Sequence, residues 1–362
     1  MTWKYDIARL RLASRGILMK ALCKTKPTSG ADLIETSTPS LGDHDVLVNI
    51  RAASICGTDV HIYNWDQWAA SRIKTPLIFG HECAGEVVDV GRKVTRVKVG
   101  DHVSIETHVP CLECYQCQMD QMHLCHNLKV VGIDRPGSFA EYLSIHEICC
   151  VKNDPSMSWT LASIQEPLGN AVYCVSESDV QGKSVAVFGD GPIGIFSVAV
   201  ARAMGAERII ACGMQPYRLE LIQSFKPDHL IDVSRENTRE RIYHLTGGVG
   251  VDAVLEMSGS EKAIHDGLAS VRSGGVFTFF GVPSKPIELD IANELIFKGI
   301  TVKSIFGRKM FETWEIMAKL IASGKLDVTR VVTHEMKLEE IDKAMALLTA
   351  KEIKVGKILL RP

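Results

Sequence analysis

The feature that most constrains this chain is Ser184-Val-Ala-Val-Phe188 running directly into Gly189-Asp-Gly-Pro-Ile-Gly194 and then into an apolar stretch. A run without polar alternation suits a strand buried on both faces, and Ile193 to Met204 predicts a helix that Gly205 is placed to end. In a Gly-x-Gly-x-x-Gly turn between strand and helix, the first glycine makes the turn. The second admits a pyrophosphate, and the helix N-terminus stabilises the phosphate charge. Gly189, Gly191, Ile193 and Gly194 are therefore candidate dinucleotide-binding residues, the plainer alternative being a strand-turn-helix with no ligand.

Further buried strands are expected at Arg208 to Cys212, His229 to Asp232, Val251 to Glu256, Gly275 to Phe280 and Thr301 to Ile305, with helical stretches between most of them. Parallel strands need such crossovers, so the pattern predicts an α/β, doubly wound parallel sheet. A helix from Glu312 to Ser323 places Trp314, Met317, Ala318 and Ile321 on one face, with Gly324 as its C-cap. Lys357 to Leu360 reads as a last strand. Upstream, Val46 to Ile50, Gly85 to Val90 and Asp101 to Ile105 are short β-branched segments between turn residues, which predicts a mostly β first domain. The length of 362 residues fits about two domains.

In this type of fold an Asp or Glu at the end of the second strand hydrogen-bonds the ribose 2′-hydroxyl. Here the position reads Cys212-Gly213, with no acid. Gly213 removes a carboxylate that would repel a 2′-phosphate, and Arg218 could reach either cofactor or stay a solvated helix residue. NAD and NADP both stay open.

Cys111, Cys114, Cys117 and Cys125 lie in one polar loop, at a spacing that can close a tetrahedral thiolate shell around zinc with no open position. Such a site staples a loop; it does not react. Cys56, His81 and Glu82 offer one thiolate, one imidazole and one carboxylate from separated segments, a set that suits a catalytic zinc with a free position. Taken singly, Cys56 could be a core residue, His81 a satisfied buried imidazole and Glu82 a surface charge.

With these residues assembled, the chain resembles the zinc-dependent medium-chain alcohol dehydrogenase family. The general likeness rests on Gly80-His81-Glu82, the four-cysteine lobe and the glycine turn. A narrower one rests on Ile55-Cys-Gly-Thr-Asp-Val-His-Ile-Tyr-Asn-Trp-Asp66, Arg135-Pro-Gly-Ser-Phe-Ala-Glu-Tyr142, Glu166-Pro-Leu-Gly-Asn-Ala-Val172, Leu255-Glu-Met-Ser-Gly259 and Gly307-Arg-Lys-Met-Phe-Glu-Thr-Trp314.

The resemblance implies a GroES-like catalytic domain over residues 1–169 and 309–362, with a structural zinc lobe near 110–126, and a Rossmann dinucleotide-binding domain over 170–308. It implies Cys56, His81 and Glu82 as catalytic zinc ligands, with Glu166 closing the shell or standing beside it. Thr58 and His61 match proton-relay positions, His108 and Trp65 match substrate positions, and Val282 and Arg308 join Gly213 and Arg218 at the cofactor. The implied activity is hydride transfer from the secondary hydroxyl of L-threonine to NAD or NADP, giving 2-amino-3-oxobutanoate, with one catalytic and one structural zinc ion per chain. A polyol or other secondary-alcohol dehydrogenase of the same family is the nearest alternative, and a non-catalytic nucleotide-binding relative the alternative of another class. A homo-oligomer, a tetramer by resemblance, is the expected assembly.

With 41 basic and 43 acidic residues the chain has no global attraction to nucleic acid or anionic membrane, and neither partner is expected. Ile193 to Ala201, the longest apolar run, falls far short of the roughly 20 residues of a spanning helix. Eleven cysteines, an odd number in a large chain, fit a reducing cytoplasm better than a disulfide scaffold. Residues 1–18 read as an extension before Met19, basic through Lys4, Arg9, Arg11 and Arg15, and without the apolar core of a secretory signal. A transit-like leader is the other reading of that stretch.

Overall fold

The computed structural model describes residues 18–362, so the expected extension lies outside the described residues except for Leu18. The chain divides into two compact units. The first comprises Met1–Glu166, Val332–Ala350 and Lys357–Pro362, and the second Pro167–Val331 with Lys351–Gly356.

The first unit is mostly β. Its main sheet runs in the order Cys150–Lys152, His102–Ile105, Glu82–Val90, Asp45–Ser54, Lys357–Arg361 and Val332–Lys337, with Tyr142–His146 also paired to Asp45–Ser54. A second, smaller sheet joins Asp32–Ser37, Leu18–Lys24 and Leu77–Ile78. The central strand buries Val46, Leu47, Val48, Ile50, Ala52 and Ala53 almost completely. A strand lined on both sides by neighbours has few positions left for water, which is why its polar alternation is weak. The last strand pairs antiparallel with it, Leu359 opposite Ser54 and Leu360 opposite Ala53, and so carries Lys357 into this unit's core.

The second unit is a six-stranded, all-parallel sheet in the order His229–Asp232, Arg208–Gly213, Ser184–Phe188, Val251–Glu256, Val271–Phe279 and Thr301–Ser304. This is the doubly wound order whose switch point lies beside the first strand. Its core joins Ala186, Phe188, Ile210, Cys212, Val254 and Phe277 with apolar residues of the covering helices. The helix after the glycine turn spans Pro192–Ala203 and buries every residue from Gly194 to Ala201. Gly205 adopts φ +84°, ending that helix as the sequence indicates.

Two expectations change. The strand expected from Gly275 begins at Val271, with a register irregularity between Val251 and Ala253 of its partner. The segment from 309 was assigned with the first domain, but residues up to Val331 belong to the second unit. Packing within the second unit explains the shift. Arg330 donates to the Ser224 carbonyl and lies over the Phe225 ring, and Arg218 donates to the Val355 carbonyl. Among the described residues, no helix is long and apolar enough to cross a membrane.

Candidate active site and metal centres

Cys56 stands in extended conformation just before the helix Gly57–Asn64, and its backbone N–H donates to Asp59 Oδ2 at 2.9 Å. Gly80 places the next two donors. Its φ is +87°, and a Cβ there would lie 2.3 Å from Phe139 Cδ1, so only glycine fits directly before His81 and Glu82. The donor atoms of Cys56, His81 and Glu82 all lie within 4.8 Å of one another.

The surroundings of this cluster are charged and mostly buried. Asp59 is fully buried, and its Oδ1 lies 3.7 Å from His81 Nδ1; neither atom has a hydrogen-bond partner. Burial pushes the Asp59 carboxyl up to about 6, against the opposing pull of His81. For His81, burial works against the charged form, but Asp59 and Cys56 outweigh it and raise the imidazole to about 10. A half-buried thiol with a buried imidazole and buried carboxylates, carrying a surplus of negative charge, has the donor chemistry of a zinc site, and the Asp59 carboxylate stands 3.7 Å behind the imidazole. Glu82 Oε2 is held by Ser54 Oγ and Lys357 Nζ, and Lys357 also donates to the Ile55 carbonyl at 2.9 Å.

The other expected site residues fall at different distances from this cluster. Glu166 is buried at the start of the helix Gln165–Glu177; it stands outside the three-donor group, yet its charge acts on His81. Thr58 Oγ1 lies 3.7 Å from Cys56 Sγ. His61, more than half exposed, pairs through Nδ1 with Asp66, which also caps the helix Gln67–Arg72. His108 is buried, with its backbone N–H and Nδ1 each 2.9 Å from Glu106 Oε1. Trp65 ends the first helix in left-handed conformation, its ring beneath the Lys24 ammonium.

The four lobe cysteines come together as their spacing predicts. Their sulfurs are 3.6 Å apart for Cys114 and Cys117, 3.8 Å for Cys114 and Cys125, and 3.5 Å for Cys125 and Cys111. A zinc–sulfur bond of about 2.3 Å implies a tetrahedral edge of about 3.8 Å, so the four sulfurs fit a closed structural site and no pair is close enough for a disulfide. Backbone N–H groups of Glu113 and Cys114 lower the Cys111 thiol to about 6 and those of Cys117 and His126 lower Cys114, whereas burial raises Cys117, to about 12, and Cys125. Thiolates are the form that binds the metal.

In the second unit the first two glycines of the turn show the feature their expected roles need, and the third makes a close backbone approach. Gly189 has φ +118°, a Cβ on Gly191 would meet nothing within 4 Å, and one on Gly194 would lie 1.9 Å from the Gly189 carbonyl oxygen. The turn opens on a pocket lined by Gly189, Asp190, Gly213, Met214, Ser258 and Lys262, among others. These features fit a dinucleotide. Arg218, expected at the cofactor, uses its Nε on Val355. Arg308 is completely buried, bonded to Asn170 Oδ1 at 2.9 Å, and Val282 is 89% exposed.

Sequence reasoning missed Ser54, Asp59 and Lys357 at the metal cluster, and Asp190 beside Gly213. Asp59 had a local signal, since an acid three residues after the position that caps a helix is the reciprocal partner in a capping box. Lys357 had none, because the sheet alone brings the last strand to Glu82.

The alcohol dehydrogenase GroES-like domain matches residues 42–155, and the zinc-binding dehydrogenase domain matches residues 192–323. The chain is 47% identical over 345 residues to an L-threonine 3-dehydrogenase of Bacillus velezensis, covering 95% of this chain and 99% of that protein. It is also 47% identical over 345 residues to one of Symbiobacterium thermophilum, covering 95% of this chain and 98% of the relative. Among solved structures, a Sinorhizobium meliloti protein bound to NADP superposes with a TM-score of 0.87 at 26% identity, covering 96% of this chain and 100% of its own.

Proposed function

Because the chain belongs to the zinc-binding alcohol dehydrogenase family, we propose that it oxidises the secondary hydroxyl of L-threonine to a ketone and passes the hydride to a nicotinamide dinucleotide. The product is 2-amino-3-oxobutanoate, with one proton released per turnover. The observation that carries this reading is the cluster of half-buried Cys56 with buried His81 and Glu82 in a chain so similar to L-threonine 3-dehydrogenases.

Cys56, His81 and Glu82 would hold the catalytic zinc, and the four lobe cysteines a structural one. Zinc supplies Lewis acidity: it brings the pKa of bound water from about 15.7 to about 7 and has the same sense of effect on an alcohol, while the nicotinamide accepts the hydride. The protein supplies position. The Asp59 charge stands behind the His81 ring, and Lys357 with Ser54 fixes the Glu82 carboxylate. Thr58 and His61 carry the released proton toward solvent, a role supported by the Thr58 hydroxyl beside Cys56 and the exposure of His61. Glu166 acts from beside the three donors, and His108 and Trp65 face the substrate. Val282, largely exposed, joins the cofactor contacts, whereas Arg308, fully buried against Asn170, does not reach the cofactor as its side chain stands.

The cellular setting and assembly belong to the same reading. All eleven cysteines are unpaired, which supports a reducing, cytoplasmic location. A homo-oligomer, a tetramer by family resemblance, is the expected assembly, and association is supported by the apolar side chains exposed near the edge strand Thr301–Ser304 of the second unit, Ile296, Phe297, Val302 and Phe306. The proposal is tested by assaying purified protein with L-threonine and each dinucleotide, identifying the product by mass, and repeating after chelation. Failure to form 2-amino-3-oxobutanoate with either cofactor contradicts it.

A further inference from the structure

The end of the second parallel strand is where an acid would read the adenosine ribose, and at that place this chain has Gly213. The space a side chain would need there is already filled. A Cβ on Gly213 would lie 2.6 Å from Asp190 Cβ, 2.9 Å from Asp190 Oδ2 and 2.9 Å from Leu219 Cδ2. Asp190 comes from the glycine turn itself, and its Oδ2 accepts hydrogen bonds from the backbone N–H groups of Met214 and Gln215, each at 2.7 Å. These are the two residues that follow Gly213, so the carboxylate is tied to the strand end whose own side chain is missing.

We propose that Asp190 takes the place of the missing acid at 213 and makes this chain select NAD over NADP. The inference rests on the reading of the second unit as a dinucleotide-binding domain. Both backbone bonds use Oδ2, and Oδ1 makes no hydrogen bond among the described residues. One carboxylate oxygen therefore stays able to accept from a ribose hydroxyl, while the second anchors the group.

The charges around the pocket point the same way. Its lining holds two carboxylates, Asp190 and Asp266, and one ammonium, Lys262. That ammonium is already engaged by Asp266 Oδ2 at 2.5 Å. Arg218 is outside the lining; its Nε serves the Val355 carbonyl, and its charge is already drawn to Asp190. Within this lining a 2′-phosphate meets two carboxylates against one surface ammonium that is paired with one of them, whereas a 2′-hydroxyl gains an acceptor. The glycine is thus the complement of Asp190: with any side chain at 213, the carboxylate could not lie where it does.

The test is direct binding of NADH and NADPH to the purified protein, read by nicotinamide fluorescence, for the wild type, Asp190→Asn and the double variant Asp190→Ala with Gly213→Asp. The asparagine keeps an oxygen acceptor for Met214 and Gln215 and removes the charge, and a thermal melt checks that each variant is folded. We expect the wild type to bind NADH at least about 100-fold more tightly than NADPH, well within what a site built around a substrate hydroxyl achieves. In Asp190→Asn this ratio should fall at least about tenfold, mainly through tighter NADPH binding, and the double variant should recover the preference for NADH. A wild type that binds both nucleotides equally, or an Asp190→Asn variant with an unchanged ratio, overturns the inference while leaving the dinucleotide reading intact. No binding of either nucleotide to the wild type overturns that reading, and the inference with it.

Discussion

Lys357 and Glu82 form an ion pair whose side chains are only 3% and 1% exposed, tying the last strand to the three-donor metal cluster. Removing one partner of a buried pair leaves an uncompensated charge, at a cost of about 3–5 kcal/mol. Lys357→Met should therefore lower the stability of the first unit by that order in denaturant unfolding. Adding Glu82→Gln should recover part of the loss, because the stranded carboxylate is then gone. Equal stability of Lys357→Met and the wild type would show that the pair does not hold Glu82.

The two metal centres should separate by mutation. Cys56→Ser weakens only the open site, so it should abolish turnover and lower the zinc content by one ion while the melting temperature changes little. Cys114→Ser breaks a closed thiolate shell that contributes folding energy. A loss of about 3 kcal/mol corresponds to about 6–12 °C. Zinc stoichiometry and thermal melts on both variants check the assignment, and an equal loss of stability in the two contradicts it.

Gly80→Ala tests how tightly the His81-Glu82 pair is positioned. The new Cβ would lie 2.3 Å from the Phe139 ring at a backbone φ of +87°. Both strain and overlap oppose it, so a destabilisation of about 2–4 kcal/mol is expected together with loss of the catalytic zinc. Metal analysis of the folded fraction distinguishes a displaced site from simple unfolding.

Much of this molecule was legible in its sequence, and the reason is local. The strands Ser184–Phe188, His229–Asp232 and Val251–Glu256 have the bounds their apolar runs announce, since a strand covered on both faces shows no alternation. The cysteine lobe was equally plain, because all four ligands share one loop. What the sequence hid is what the sheets bring together from far apart. Lys357 reaches Glu82 only through strand pairing, and the domain boundary after residue 308 was misplaced because Arg330 and Val355 return to the second unit. Gly213 showed that the usual acid was missing, but not that Asp190 fills its place; that required knowing where the glycine turn points its second residue.

Acid sensitivity of the first unit should involve Glu147. Burial opposes its ionisation, but the backbone N–H groups of Thr95 and Arg96, with His44, hold the carboxyl down at about 2 from an ordinary 4.5. A carboxyl depressed in the folded state contributes stability above its unfolded pKa and loses it as pH falls through the folded value. The contribution is therefore full at pH 7 and fades between about 4.5 and about 2. Glu147→Gln should cost about 1–3 kcal/mol at neutral pH, and its gap from the wild type should narrow as denaturant unfolding is repeated toward pH 3.

The central claim is that this cluster serves a secondary alcohol flanked by an ammonium and a carboxylate. The most direct measurement is kcat/KM for L-threonine against a polyol of similar size, with the zinc-loaded protein and the same dinucleotide. A pocket that pairs charged groups rejects analogues lacking them by large factors, so L-threonine should lead by at least about 100-fold. A polyol with the higher kcat/KM would contradict the account.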